Sequence, residues 1–146
     1  MTRRQAKDRT SITVSKLYNA SQQEVFAAWI ERDTLAQWMC PEGGCVSFAA
    51  VDARVGGAYR IDMQFGNEVI VHRGVYREIV PPEKLVFTWV SVNTHQQETL
   101  VTVELVARGT QTELVLTHEH FPSEESAQAH TAGWQGVLSM LEKLRA

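Results

Sequence analysis

From Ser123 onward, "SEESAQAHTAGWQGVLSMLEKL" repeats apolar residues at helical spacing, and this stripe constrains the fold more than any other feature. Ala127, Trp134, Val137, Leu138, Leu141 and Leu144 fall on one side of a helix, with His130 one turn before Trp134. Ser123 is placed to cap it, Glu124 and Glu125 suit its positive end, and Pro122 closes the segment before it. At about 1.5 Å per residue the helix is over ~30 Å long, enough to cross a whole sheet.

The rest of the chain supplies that sheet. "SITVSKLY" alternates as a strand. "NASQQEVFAAWI" then switches to helical spacing, with Ser21 and Glu24 in capping-box register. A second short helix through "TLAQWM" is expected to be capped by Asp33 and ended by Pro41. From there to residue 119 the period is two. "AYRIDMQF" turns at Gly66–Asn67 into "EVIVHRGVYREI"; "KLVFTWVSV" follows Pro81–Pro82; then come "ETLVTVELVA" and "TELVLTHEH". Short turns between consecutive strands make an antiparallel meander. The fold class read from this order is α+β. A curved antiparallel sheet wraps around a long C-terminal helix, with two short helices after the first strand. A layer between sheet and helix often holds a cavity for a small ligand.

The 146 residues suffice for one domain with a full core. Residues 1–9 read as a flexible N-terminal tail and residues 10–146 as a single domain. A formal net charge of −3 gives no general reason for a nucleic-acid partner, although "MTRRQAKDR" is locally basic. No apolar run is long enough for a membrane span, and a cytoplasmic location is the expectation. Cys40 and Cys45 are spaced C-x4-C without further ligands at a zinc spacing, so they read as ordinary loop thiols. No phosphate loop, nucleophile elbow or H-E-x-x-H motif occurs, and neither a metal nor a cofactor is expected.

Three of the five histidines cluster at His118, His120 and His130. In a continuous strand His118 and His120 share a face, so a three-imidazole metal site, an acid–base pair with Glu119 or Glu98, and a polar patch on a cavity wall all stand as readings. Glu119 points to the opposite face, which weakens the acid–base pairing.

The blocks "AWIERDTLAQWMCPEG", "VDARVGGAYRIDM", "GVYREIVPPEKLVFTW", "VTVEL" and "HFPSEESAQAHTAGWQGVLSMLEKL" resemble the activator of heat-shock protein 90 ATPase homologue family. That family lies within the START-like, helix-grip SRPBCC superfamily that includes the birch-pollen-allergen-type proteins. The resemblance runs over roughly residues 11 to 145. It implies a helix-grip fold with a deep, largely apolar cavity, in a superfamily whose members bind lipids, sterols, polyketides or plant hormones. Some members cyclise polyketides, and one resistance-type member is consumed by its reactive ligand. Positions like His118 and His130 are commonly histidine in the family, whereas His120 is a departure. The family takes its name from a two-domain co-chaperone, of which the C-terminal domain is the part that this chain resembles.

The expectation is a cytosolic binding protein that holds an apolar or amphipathic small molecule between sheet and helix. Tyr59, Ile61, Met63, Phe87, Trp89 and Trp134 would line the cavity, while Thr102, His118 and His130 would orient the ligand by hydrogen bonds. The alternatives are an enzyme of the same fold (cyclase, hydrolase or detoxifying) using His118 or His130 as acid or base, and a co-chaperone-like interaction module. Meander edges also invite homodimers.

Overall fold

The computed structural model describes residues 10–145; the N-terminal tail read at 1–9 lies outside the described residues. Strand β1 (Ile12–Tyr18) leads into helices α1 (Gln22–Ile30) and α2 (Arg32–Trp38). Strands β2 (Cys45–Val51), β3 (Ala58–Phe65), β4 (Glu68–Val80), β5 (Lys84–Trp89), β6 (Thr99–Arg108) and β7 (Gln111–Glu119) follow, and helix α3 (Glu124–Arg145) ends the chain. The strands form one seven-stranded antiparallel sheet in the order β1-β7-β6-β5-β4-β3-β2, curled as a half-barrel around α3.

Helix α1 starts as its sequence demands. Ser21 Oγ accepts the Glu24 amide at 3.2 Å and the Ser21 amide donates to Glu24 Oε1 at 3.1 Å. Helix α2 begins before the expected cap. Glu31 closes α1 through its amide to the Ala27 carbonyl and opens α2 by accepting the Leu35 amide, so one residue serves both ends. Asp33 therefore sits in the first turn, 2.6 Å from Arg32, where its charge favours the helix N-terminus.

The curl is set in β4. Its first half pairs with β3 up to Val75, its second half pairs with β5 from Tyr76, and the register shifts between Tyr76 and Glu78. At this bend a Cβ on Gly74 would lie 2.0 Å from the Thr88 carbonyl oxygen, so only glycine fits. The same carbonyl accepts the Tyr59 hydroxyl, and Thr88 Oγ1 accepts the Val75 amide at 2.8 Å. Thr88 thus pins the bend from both sides.

Helix α3 lays Ala127, Trp134, Val137, Leu138 and Leu141 against the concave face, whose strands contribute Val101, Val103, Leu114 and Leu116. Burying each such aliphatic side chain contributes about 1.5–3 kcal/mol. Tyr18 ties the helix to the edge strand by donating to the Leu138 carbonyl at 2.8 Å. Leu144, on the same stripe, is 38% exposed because it lies beyond the covered part of the helix. Cys40 and Cys45 are free thiols, one buried and one exposed. Among the described residues, no helix is long and apolar enough to cross a membrane.

Candidate ligand cavity

Strand parity turns His118 of β7 inward, where it is fully buried. Trp134 Nε1 on α3 donates to His118 Nδ1 at 2.9 Å. Nδ1 is therefore the bare nitrogen, and Nε2–H donates to Thr99 Oγ1 at 2.7 Å. Thr99 passes the chain on, its hydroxyl donating to the Trp89 carbonyl at 2.6 Å. Burial first, and His130 second, hold the His118 pKa well below its ordinary value, so the ring is neutral. Both ring nitrogens are committed, and none is left for a substrate or a metal.

His130 lies 5.1 Å from His118 between ring centres, with Phe121 packed against both. Its Nδ1 meets the Ser126 carbonyl at 2.8 Å, which assigns the hydrogen to Nδ1 and leaves Nε2 an acceptor. Burial lowers its pKa, partly offset by that carbonyl. His120 takes no part. The strand ends at Glu119, His120 adopts φ 70°, and Phe121 turns inward in its place, its amide donating to the Thr10 carbonyl. The same-face expectation for His118 and His120 fails because the extended backbone stops one residue short. Among the described residues no group of three or more His, Cys, Asp or Glu side chains converges on a point where a metal would sit. Neither acidic partner considered from the sequence is placed for acid–base work: Glu98 is exposed and paired with Arg77, and Glu119 faces away from the ring of His118.

Beside this network lies a cavity of about 210 Å³. The sheet contributes Met63, Phe65, Ile70, His72 and Trp89, and the helix contributes His130, Gly133, Trp134 and Val137. Pro41 and Asn93 stand at its margin, Asn93 exposed to solvent. No Asp, Glu, Lys or Arg lines it.

His72 is the residue that the sequence reading missed. Ile70, His72, Gly74 and Tyr76 share one face of β4 and Val69, Val71, Arg73 and Val75 the other. Parity groups them, but with Ile70 and Tyr76 on one face and three valines on the other it does not say which turns inward. The His72 ring is 4% exposed and packs 4.9 Å from the Trp89 ring. Its Nδ1 is buried with no hydrogen-bond partner, as is Nε1 of Trp89. Burial lowers the His72 pKa to about 4; the nearby Ile61 and Ile70 carbonyls favour its charged form, though neither reaches hydrogen-bonding geometry with Nδ1, and His130 opposes it. The imidazole is neutral at neutral pH. An unsatisfied buried polar group costs about 1–3 kcal/mol, and both nitrogens are covered by protein rather than open to the cavity.

Of the residues singled out from the sequence, Met63, Trp89, His130 and Trp134 meet in this cavity. Tyr59, Ile61 and Phe87 sit deeper, with Trp29, Leu35 and Tyr76, around a void of only about 10 Å³. That is about the room of one water. Tyr59 and Phe87 fill it edge to face at 5.6 Å, so the grip is solid beyond Trp89. His118 stands behind the wall and holds Trp134. Thr102 lies on the opposite face of β6 from the buried Val101 and Val103.

Two glycines of α3 differ. A Cβ on Gly136 would come 3.3 Å from Pro41 Cβ, so the bare backbone allows a close approach. A Cβ on Gly133 would meet nothing within 4 Å. Mid-helix glycine costs about 1 kcal/mol relative to alanine, and at Gly133 no packing contact accounts for it.

A curled antiparallel sheet gripping one long C-terminal helix, with two short helices after the first strand, defines the START-like helix-grip class. Within it the chain belongs to the family described as Activator of Hsp90 ATPase homolog 1-like protein, whose model matches residues 19–146. A solved structure from Chromobacterium violaceum is similar at 26% identity and a TM-score of 0.85, covering 93% of this chain and 96% of its own. An HSP90 activator from Plasmodium falciparum is similar at 26% identity and a TM-score of 0.73, covering 92% of this chain and 95% of its own. A protein from Mycobacterium smegmatis shares the fold at 12% identity, with a TM-score of 0.81 over 96% of this chain and 93% of its own. A comparison with curated proteins gives no match.

Proposed function

We propose that the protein binds an apolar or amphipathic small molecule in the cavity between β3–β5 and α3. The observation that carries this reading is a cavity of about 210 Å³ between sheet and helix, lined by Met63, Phe65, Ile70, Trp89, Trp134 and Val137 and by no Asp, Glu, Lys or Arg. Apolar burial supplies affinity at about 25 cal/mol per Å² before ordering costs, and the polar groups supply orientation. Native mass spectrometry of the purified protein, with a denatured control, tests it. A reproducible excess mass lost on denaturation is expected for wild type and absent from a Gly133→Leu variant. An excess mass that survives this cavity-filling change contradicts the reading.

A catalytic version of the same site rests on His130, whose hydrogen at Nδ1 leaves Nε2 as a base. It predicts turnover that His130→Gln removes while ligand binding persists. The family's name and that of the Plasmodium relative raise a third reading, an action on a heat-shock ATPase. An unchanged chaperone ATPase rate on adding this protein disposes of that one.

A further inference from the structure

Resting on the cavity reading, we propose that the ligand is a small uncharged compound of one or two rings, and that Gly133 sets its size.

Three independent features converge on this class. The first is volume. A dry cavity of ~150 Å³ accommodates benzene, whereas pockets for drug-sized ligands run to ~300–1,000 Å³. At about 210 Å³ the cavity takes a ring system slightly larger than benzene. It does not continue inward, because the void beyond Trp89 is only about 10 Å³ and is walled by Tyr59, Phe87 and Trp29. A long acyl chain would leave most of its length in water.

The second feature is charge. The wall holds no Asp, Glu, Lys or Arg, and its two imidazoles are disfavoured as cations by burial. An ionised ligand group would have no counter-charge there, and an unpaired buried ion is strongly penalised. Asp62 lies on the other side of β3 and is engaged by Arg60 at 2.9 Å.

The third feature is Gly133. A Cβ there would meet nothing within 4 Å, in contrast to Gly136, which is held against Pro41. The missing side chain serves no packing contact and widens the cavity instead. Gly133 is thus a size determinant on the helix side of the cavity.

The test is calorimetric titration of the full chain with four probes: acetophenone, isopropylbenzene of matching shape without the oxygen, benzoate of matching shape with a charge, and dodecanoate. Wild type is expected to bind both neutral probes, acetophenone and isopropylbenzene. Benzoate is expected at least about tenfold weaker than acetophenone at neutral pH. Gly133→Leu is expected to abolish binding of both neutral probes, and Gly133→Ala, which is compatible with the helix, to weaken it without loss of melting temperature. Tighter binding of benzoate or dodecanoate than of acetophenone overturns the ligand class and leaves the cavity reading standing. If none of the four binds, the native mass spectrum separates the cases: a carried organic mass sensitive to Gly133→Leu overturns the class alone, and a bare protein overturns both.

Discussion

Trp134 on the long helix donates its indole N–H to Nδ1 of His118 on the last strand at 2.9 Å. Because the other face of the same imidazole donates through Thr99 to the Trp89 backbone, one buried ring couples the helix to two strands. The relationship makes His118 a structural pillar of the cavity rather than its chemistry.

Removing that pillar leaves the Trp134 indole and the Thr99 hydroxyl without their partner inside the core. His118→Ala is expected to cost about 3–4 kcal/mol, combining a cavity with lost hydrogen bonds. His118→Asn, whose amide oxygen reaches the place of Nδ1, is expected to cost less. Urea denaturation of the two variants checks the order, and equal stability of wild type and His118→Ala would sink the assignment.

Acid should destabilise the fold. His72, His118 and His130 all have pKa values lowered in the folded state, so the unfolded chain takes up protons first as the pH falls. Stability from these groups is complete above the unfolded value of 6.5 and is lost as the pH falls toward the folded values. For His72 alone a fall from 6.5 to about 4 corresponds to about 3 kcal/mol. Denaturant midpoints measured from pH 8 to pH 4.5 should be level above about pH 7 and then decline. His72→Phe should flatten part of the decline; stability that rises on acidification contradicts the burial of neutral rings.

The two helix glycines should respond differently to alanine. Gly133→Ala gains helix propensity with no clash and is expected to stabilise by about 0.5–1 kcal/mol. Gly136→Ala gains the same propensity but presses on Pro41, so its net effect should be smaller or negative. Melting temperatures of the pair decide this.

Gly74→Ala is expected to be far more damaging, about 3 kcal/mol or more, because the new Cβ would overlap the Thr88 carbonyl at the bend of β4. A variant as stable as wild type would mean that the bend is not fixed by this approach.

The long helix and most of the strands are legible in the sequence because their periodicities are uninterrupted: Val101, Val103 and Leu105 on β6, or Leu114 and Leu116 on β7, alternate cleanly. Strand β2 is not. It is an edge strand with most residues exposed, and the register shift between Val46 and Phe48 breaks its alternation. The site is legible only in part. Trp89, Trp134 and His130 stand out as aromatic or polar residues on apolar faces, but what lines a cavity and what fills a core differ only by packing depth. Tyr59 and Phe87 have the same parity as Met63 and Trp89, yet sit one layer deeper. His72 is hidden because both faces of its strand are apolar, with Ile70 and Tyr76 on its own face and Val69, Val71 and Val75 on the other, and Gly133 is visible only once the space around it is known.

The most direct test of the account is an amide and indole NMR titration of the protein with acetophenone. The account predicts that shifts concentrate at the Trp89 indole N–H, His72 and the Gly133 amide, while the exposed Phe48 and Val71 on the convex face stay still. Shifts confined to the convex face, or spread evenly over the molecule, would contradict a binding site between sheet and helix.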